Sequence, residues 1–344
     1  MTITSNILIV TMAAGSLASP APAQNSAPEI KYDSVAGALQ LPAGLYLGEV
    51  AGVATNSKGE IFVYTRTGHP TVTIGTTRPF AHGGSRMFEF DRTGKYVREI
   101  GKDSYGFMAA AQVRIDPADN IWAVDEMSNM VMKFDPEGRV AMLLGRKSES
   151  EAIPPRVARG DGAGQPTDLF SRPTDVAWDA AGNIFVADGA GNARIAKFDK
   201  DGKFLKSWGK RGTAPGEFAN VLSIAVDAQG NVYAGDGGNH RIQVFDSNGI
   251  FKTMISNVGN PQAMCINNGA HPFLYVSNSN PWNDIDVAGE ILKMRLDGTV
   301  IGKFGRAGRL LKEFGAVNSI DCRSENTLFV GELANLRVQK LVLH

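Results

Sequence analysis

Three stretches of this chain are copies of one unit. They are RIDPADNIWAVDEMSNMVMKFDPEGRV (114–140), AWDAAGNIFVADGAGNARIAKFDKDGKF (177–204) and AVDAQGNVYAGDGGNHRIQVFDSNGIF (225–251). In each, a run ends on Asp, a tight corner rich in Gly and Asn follows, and a second run again ends on Asp. A third run closes on Phe-Asp, and a turn with Gly opens a fourth. Runs of Val, Ile, Phe and Tyr between such corners are the chemistry of strands and hairpins. The segments at 88–97 (FEFDRTGKYV), 294–300 (MRLDGTV) and 328–343 (LFVGELANLRVQKLVL) are partial copies. The residue ending the first strand recurs as Asn56, Asp116, Asp179, Asp227, Asn267 and Arg323. Four antiparallel strands at this period are a propeller blade, which buries its faces by stacking on its neighbours. The expectation is an all-β, six-bladed β-propeller, one domain over 24–344. The last unit has three strands before the chain stops at His344, so the segment EIKYDSV (29–35) is expected to supply its outer strand and close the ring.

The remaining global features narrow the setting. Thirty-five basic residues balance thirty-five acidic ones, so no net field draws the chain to nucleic acid or to an anionic membrane. The first residues carry a short apolar run, Ile7 to Leu17, then Ala21-Pro22-Ala23. That pattern reads as a signal peptide over 1–23 and predicts an exported, periplasmic or extracellular protein, expected as a monomer. No stretch is long enough for a membrane-spanning helix. Cys265 and Cys322 are the two cysteines. In an oxidising compartment they either pair or stay as buried free thiols. His240 falls where Ala193 and Leu336 stand in other units, which makes it a blade residue and not part of a site.

The units DGGNHRIQVFD and DGAGNARIAKFD resemble NHL repeats. The longer stretch FSRPTDVAWDAAGNIFVADGAGNARIAKFDKDGKFLKSWGKRGTAPGEF resembles the peptidyl-α-hydroxyglycine α-amidating lyase branch of these propellers. The resemblance implies a zinc site built from three histidines just before first strands. At those positions this chain has Ala111, Leu222 and Asn318. Zinc needs at least three N, S or O ligands, so zinc is not expected here. The lyases' catalytic tyrosine would fall at Ala190 and a second arginine at Gly237, whereas Arg66 keeps the first active-site arginine. Glu332 keeps a carboxylate where the family uses an Asp for structural calcium, which leaves calcium at Glu332 possible.

Blade geometry says where a site would lie. The start of each first strand and the end of each second strand share one mouth of the central channel. Ala51, Ala111, Thr174, Leu222, Gln262 and Asn318 are expected there, with Arg66 and Glu126 just past second strands. The long insertions at 68–86, 147–173 and 279–290 open on the same face, while the opposite face is expected to have only tight corners. Candidate ligand-binding residues are Arg66, Glu126, Thr174, Gln262, Asn318 and Trp282, and candidate catalytic residues are Arg66, Glu126 and His69. Arg66 offers a bidentate clamp for a carboxylate. The expected function is binding of a small organic or peptidic ligand, or a protein, at this mouth. The alternative is a metal-independent lyase or a calcium-type lactonase or hydrolase acting at the same place.

Overall fold

In a computed structural model of the chain, the described residues are 27–67, 72–74, 78–80, 84–145, 169–189, 191–281, 283–324 and 326–344. They form six four-stranded antiparallel sheets and one short hairpin, Val72–Ile74 with Arg78–Phe80. No α-helix occurs among them; a single 3-10 turn spans Gly237–Asn239. The first strands are Glu49–Thr55, Ala110–Ile115, Asp175–Trp178, Val221–Val226, Met264–Ile266 and Val317–Ser324, for blades 1 to 6. Each is the edge of its sheet, paired on one side only. These six edges line the central channel.

Blade 3 shows why the repeat folds this way. Its second strand, Ile184–Asp188, sends Ile184 and Val186 into the seam with blade 2. Phe185 and Ala187 go to the seam with blade 4. Successive strand residues face opposite sides, and both sides are covered, so the strand is apolar throughout. One apolar cluster fills each of the six seams among the described residues. The closing seam packs Val50, Val53, Phe88 and Phe90 of blade 1 with Phe329 of blade 6.

The corners have an equally local cause. The Asp179 carboxylate accepts hydrogen bonds from the N–H groups of Ala181 and Asn183, at 3.0 and 2.9 Å. Asn56, Asp116 and Asp227 do the same at their own corners. Gly59, Gly182 and Gly230 take the left-handed position that the turn requires, with φ near 80°, and Asp119 takes it at 61°. His240 (φ 54°) occupies another left-handed corner, shared with Ala193 (50°) and Leu336 (53°), as a blade residue. Asp125, Asp188 and Asp236, at the ends of second strands, accept amide N–H groups of the incoming connection. Burial pushes the carboxyls of Asp125 and Asp188 up.

The ring is closed by the N-terminal segment. Tyr32–Val35 pairs antiparallel with Arg337–Leu343 as the fourth strand of blade 6, Tyr32 opposite Leu343. On either side, Glu29 bridges Lys303 on blade 5 and Gln40 bridges Lys95 on blade 1. One stretch therefore staples three blades. Cys265 and Cys322 form a disulfide, Cα atoms 5.9 Å apart, joining the first strands of blades 5 and 6. No helix among the described residues is long and apolar enough to cross a membrane.

Candidate functional site

The channel is filled by side chains in layers. At the upper mouth, the Asn318 amide donates to Ala51 O at 2.6 Å and to Ala111 O at 3.0 Å, while Gln262 donates to Asn318 Oδ1 at 2.7 Å. Four blades thus meet on one asparagine. Below it, the Ser319 hydroxyl and Gln112 hydrogen-bond each other across the ring. Asp175 accepts the N–H groups of Val176 and Ile224. Lower still, Arg114 of blade 2 spans the channel. It binds Asp175 through two hydrogen bonds of 2.9 and 2.7 Å and donates to Met264 O and Ile320 O. Each member of this buried pair is also hydrogen-bonded by the backbone, so neither is left without partners on its far side.

The sequence-derived candidates separate into two groups. Thr174, Gln262 and Asn318 lie at the mouth with their polar groups turned to the scaffold: Thr174 Oγ1 donates to the carbonyl oxygens of Ala187 and Val221. Arg66 and Glu126 come together at the rim. Arg66 Nε donates to Ala110 O at 2.8 Å, Nη1 lies 3.4 Å from Glu49, and Nη2 lies 4.0 Å from Glu126. A residue not anticipated from the sequence completes the group. Arg172 Nη2 donates to the same Glu126 oxygen at 3.2 Å. Arg172 precedes Pro173 and has φ 60°, and its N–H is pinned on Asn129 Oδ1. A left-handed, non-glycine residue before proline is disfavoured by about 1 kcal/mol or more, so the surrounding contacts impose it. The only sequence signal was the dipeptide Arg-Pro at a blade connection. His69, Trp282 and Ala190, with most of the long insertions at 68–86 and 147–173, fall outside the described residues.

The arrangement does not fit a lyase-type zinc. Ala111 and Leu222 have no donor atoms, and the Asn318 amide is consumed by two carbonyls and Gln262. Glu332 is fully buried, and its oxygens accept from Gly315 N–H, Asn335, Arg337 and Gln339. Its lone pairs are directed at protein donors, in the same role as Asp188 and Asp236 in their blades.

At the opposite mouth the strands are joined by short corners, and a chamber of about 380 Å³ opens there below Arg114, bordered by the lower ends of all six first strands. The sequence missed it because its walls are ordinary strand residues whose convergence depends on ring closure.

Comparison with known proteins agrees with this geometry. A family model described as a 6-bladed beta-propeller matches residues 168–252. Peptidyl-alpha-hydroxyglycine alpha-amidating lyase 1 of Drosophila melanogaster is 30% identical over 275 residues, covering 73% of this chain and 47% of that protein. NHL repeat-containing protein 3 of Mus musculus is 30% identical over 133 residues, 37% of this chain and 35% of that one. The chain therefore spans less than half the length of either relative. Among solved structures, a gluconolactonase from Xanthomonas campestris superposes with a TM-score of 0.57 at 15% identity, over 94% of this chain and 97% of that one, a likeness of fold alone. The chain is a six-bladed β-propeller whose sequence relatives are amidating lyases and NHL-repeat proteins.

Proposed function

We propose that this chain is an exported propeller that binds the carboxylate-bearing end of a small organic or peptidic ligand at the upper mouth. The observation that carries the reading is the rim cluster, in which Arg66 and Arg172 share one carboxylate, Glu126. The shared carboxylate sits 4.0 Å from one guanidinium and 3.2 Å from the other. A ligand carboxylate approaching from solvent can take Arg66 Nη1 and Nη2 from their long contacts and form two short, charge-assisted bonds. The leader-like N-terminus and the Cys265–Cys322 disulfide support export, since disulfides persist in oxidising compartments. A peptide ligand is suggested by the amidating-lyase relative, whose name assigns it a peptidyl-α-hydroxyglycine substrate. The lyase reaction itself is not proposed, because the three metal-ligand positions are Ala111, Leu222 and Asn318.

The test compares a short peptide ending in a free carboxylate with the same peptide ending in an amide. The carboxylate form should raise the melting midpoint of the mature protein, as a native-state ligand does, and the amide should not. Arg66→Ala should weaken the carboxylate form by about 1.5–3 kcal/mol, the range for hydrogen bonds to charged groups. Equal binding of the two peptides, or an Arg66→Ala variant that binds like the parent, would remove the rim cluster from the function.

A further inference from the structure

We propose that the chamber at the lower mouth is a second binding site, for a small organic carboxylate with an apolar body, in which Arg323 receives the carboxylate. It is separate from the upper rim, because the layers of Asn318, Gln112 and Arg114 close the channel between them.

The repeat supplies an internal control. At the end of the first strand, five blades place Asn56, Asp116, Asp179, Asp227 or Asn267, and each side chain accepts backbone N–H groups of its own corner. Blade 6 has Arg323, which cannot make that turn bond. A guanidinium has no acceptor. The corner thus gives up the interaction that the other five use, and the fold does not ask for the replacement. Instead, Arg323 Nη2 donates across the ring to Ile115 O of blade 2 at 3.1 Å, and the head lies on the chamber wall.

Arg323 is also under-used. Its nearest carboxylate among the described residues is Asp119, 3.8 Å away, and Asp119 is itself engaged by the Ser57 N–H. Of the five guanidinium donors, the Ile115 bond uses one. The other charges around the chamber are accounted for. Arg114 forms the floor and is matched by Asp175. Both Asp321 oxygens accept from Thr55, through its N–H and its Oγ1 hydroxyl, and burial pushes the Asp321 carboxyl up. Among the charged groups lining the chamber, the unused hydrogen-bonding capacity is therefore that of Arg323. Ile115, Val226 and Ile266 line the walls, so the complementary guest is an anion at one end and apolar at the other.

Benzoate is a suitable probe, with benzamide as its neutral counterpart. Titrations of the mature protein followed by calorimetry or ligand-observed NMR should give saturable benzoate binding, at least tenfold tighter than benzamide. Arg323→Asn restores the corner residue of the other blades, so it should keep or raise the melting midpoint while weakening benzoate tenfold or more. Ile266→Trp, which fills the chamber from its apolar side, should also abolish binding. Arg66→Ala should leave it unchanged, which keeps this site distinguishable from the upper rim. Absence of saturable benzoate binding, or unaltered binding in either the Arg323→Asn or the Ile266→Trp protein, would overturn the proposal.

Discussion

At the residue scale, the molecule separates charges that hold it together from charges left at its mouths. Glu332 belongs to the first kind. It is fully buried and ties Gly315, Asn335, Arg337 and Gln339 into the corner of blade 6. Glu332→Ala would strand these donors and should cost about 3–5 kcal/mol, the usual loss when one member of a buried pair is removed. Denaturant midpoints at unchanged slope measure it, and a loss below about 1 kcal/mol would show that the carboxylate is dispensable. Asn318 belongs to the channel lattice, next to Ala111. Replacing Ala111, Leu222 and Asn318 together by His should create stoichiometric zinc binding, read by elemental analysis, because zinc affinity follows from ligands placed by the fold. A well-folded triple variant without zinc would mean that the three positions do not converge.

At the element scale, the segment 27–40 matters most, since it touches blades 5, 6 and 1. Asp33 on the closing strand is hydrogen-bonded by Lys312 and by His344, and these bonds hold its carboxyl below the usual range. The sign follows from linkage. A carboxylate depressed in the folded state stabilises it above the unfolded value, near pH 4, and that contribution is lost as pH falls through the folded value. Amide protection of the closing strand, corrected for intrinsic exchange, should therefore drop on acidification below about pH 4. In Asp33→Asn the pH dependence should be absent. An identical acid response in the two proteins would assign the fraying to other groups. Deleting 27–36 should expose the edge at Arg337–Leu343 and promote edge-to-edge association, visible by light scattering.

At the scale of the whole molecule, stability is shared among six similar seams, and the ring is clamped where its ends meet. The disulfide joins residues 57 apart in sequence, in the pair of blades next to the closure. The loop-entropy estimate for that separation is about 4 kcal/mol. Cys265→Ser with Cys322→Ser should lower the unfolding free energy by about 2–4 kcal/mol, allowing for structure retained in the unfolded chain. Reduction of the parent protein should have the same effect. A double variant as stable as the parent would show that the seams alone set the stability.

Much of the fold was legible because its causes are local. An Asx residue and a Gly or Asp three positions apart make a corner in four of the blades, and apolar runs between corners make strands. Asn56, Asp116, Asp179 and Asp227 announce their blades in this way, and the three-stranded last unit points to the segment that completes it. The candidate site was legible only in part. Arg66 and Glu126 follow from blade register, but Arg172 depends on a connection whose left-handed turn leaves no pattern in sequence. The channel was less legible still. The Gln112–Asn318 contact spans 206 residues, and Arg114 reaches blades 3, 5 and 6 at once. The sequence alone thus determined the unit, its copy number and the orientation of its strands, because each is set by neighbours a few residues apart. The tertiary structure decided which departures from the repeat meet: Arg66 with Arg172 above, and Arg323 in its chamber below. Only closure of the ring brings the same position of six distant units to one axis.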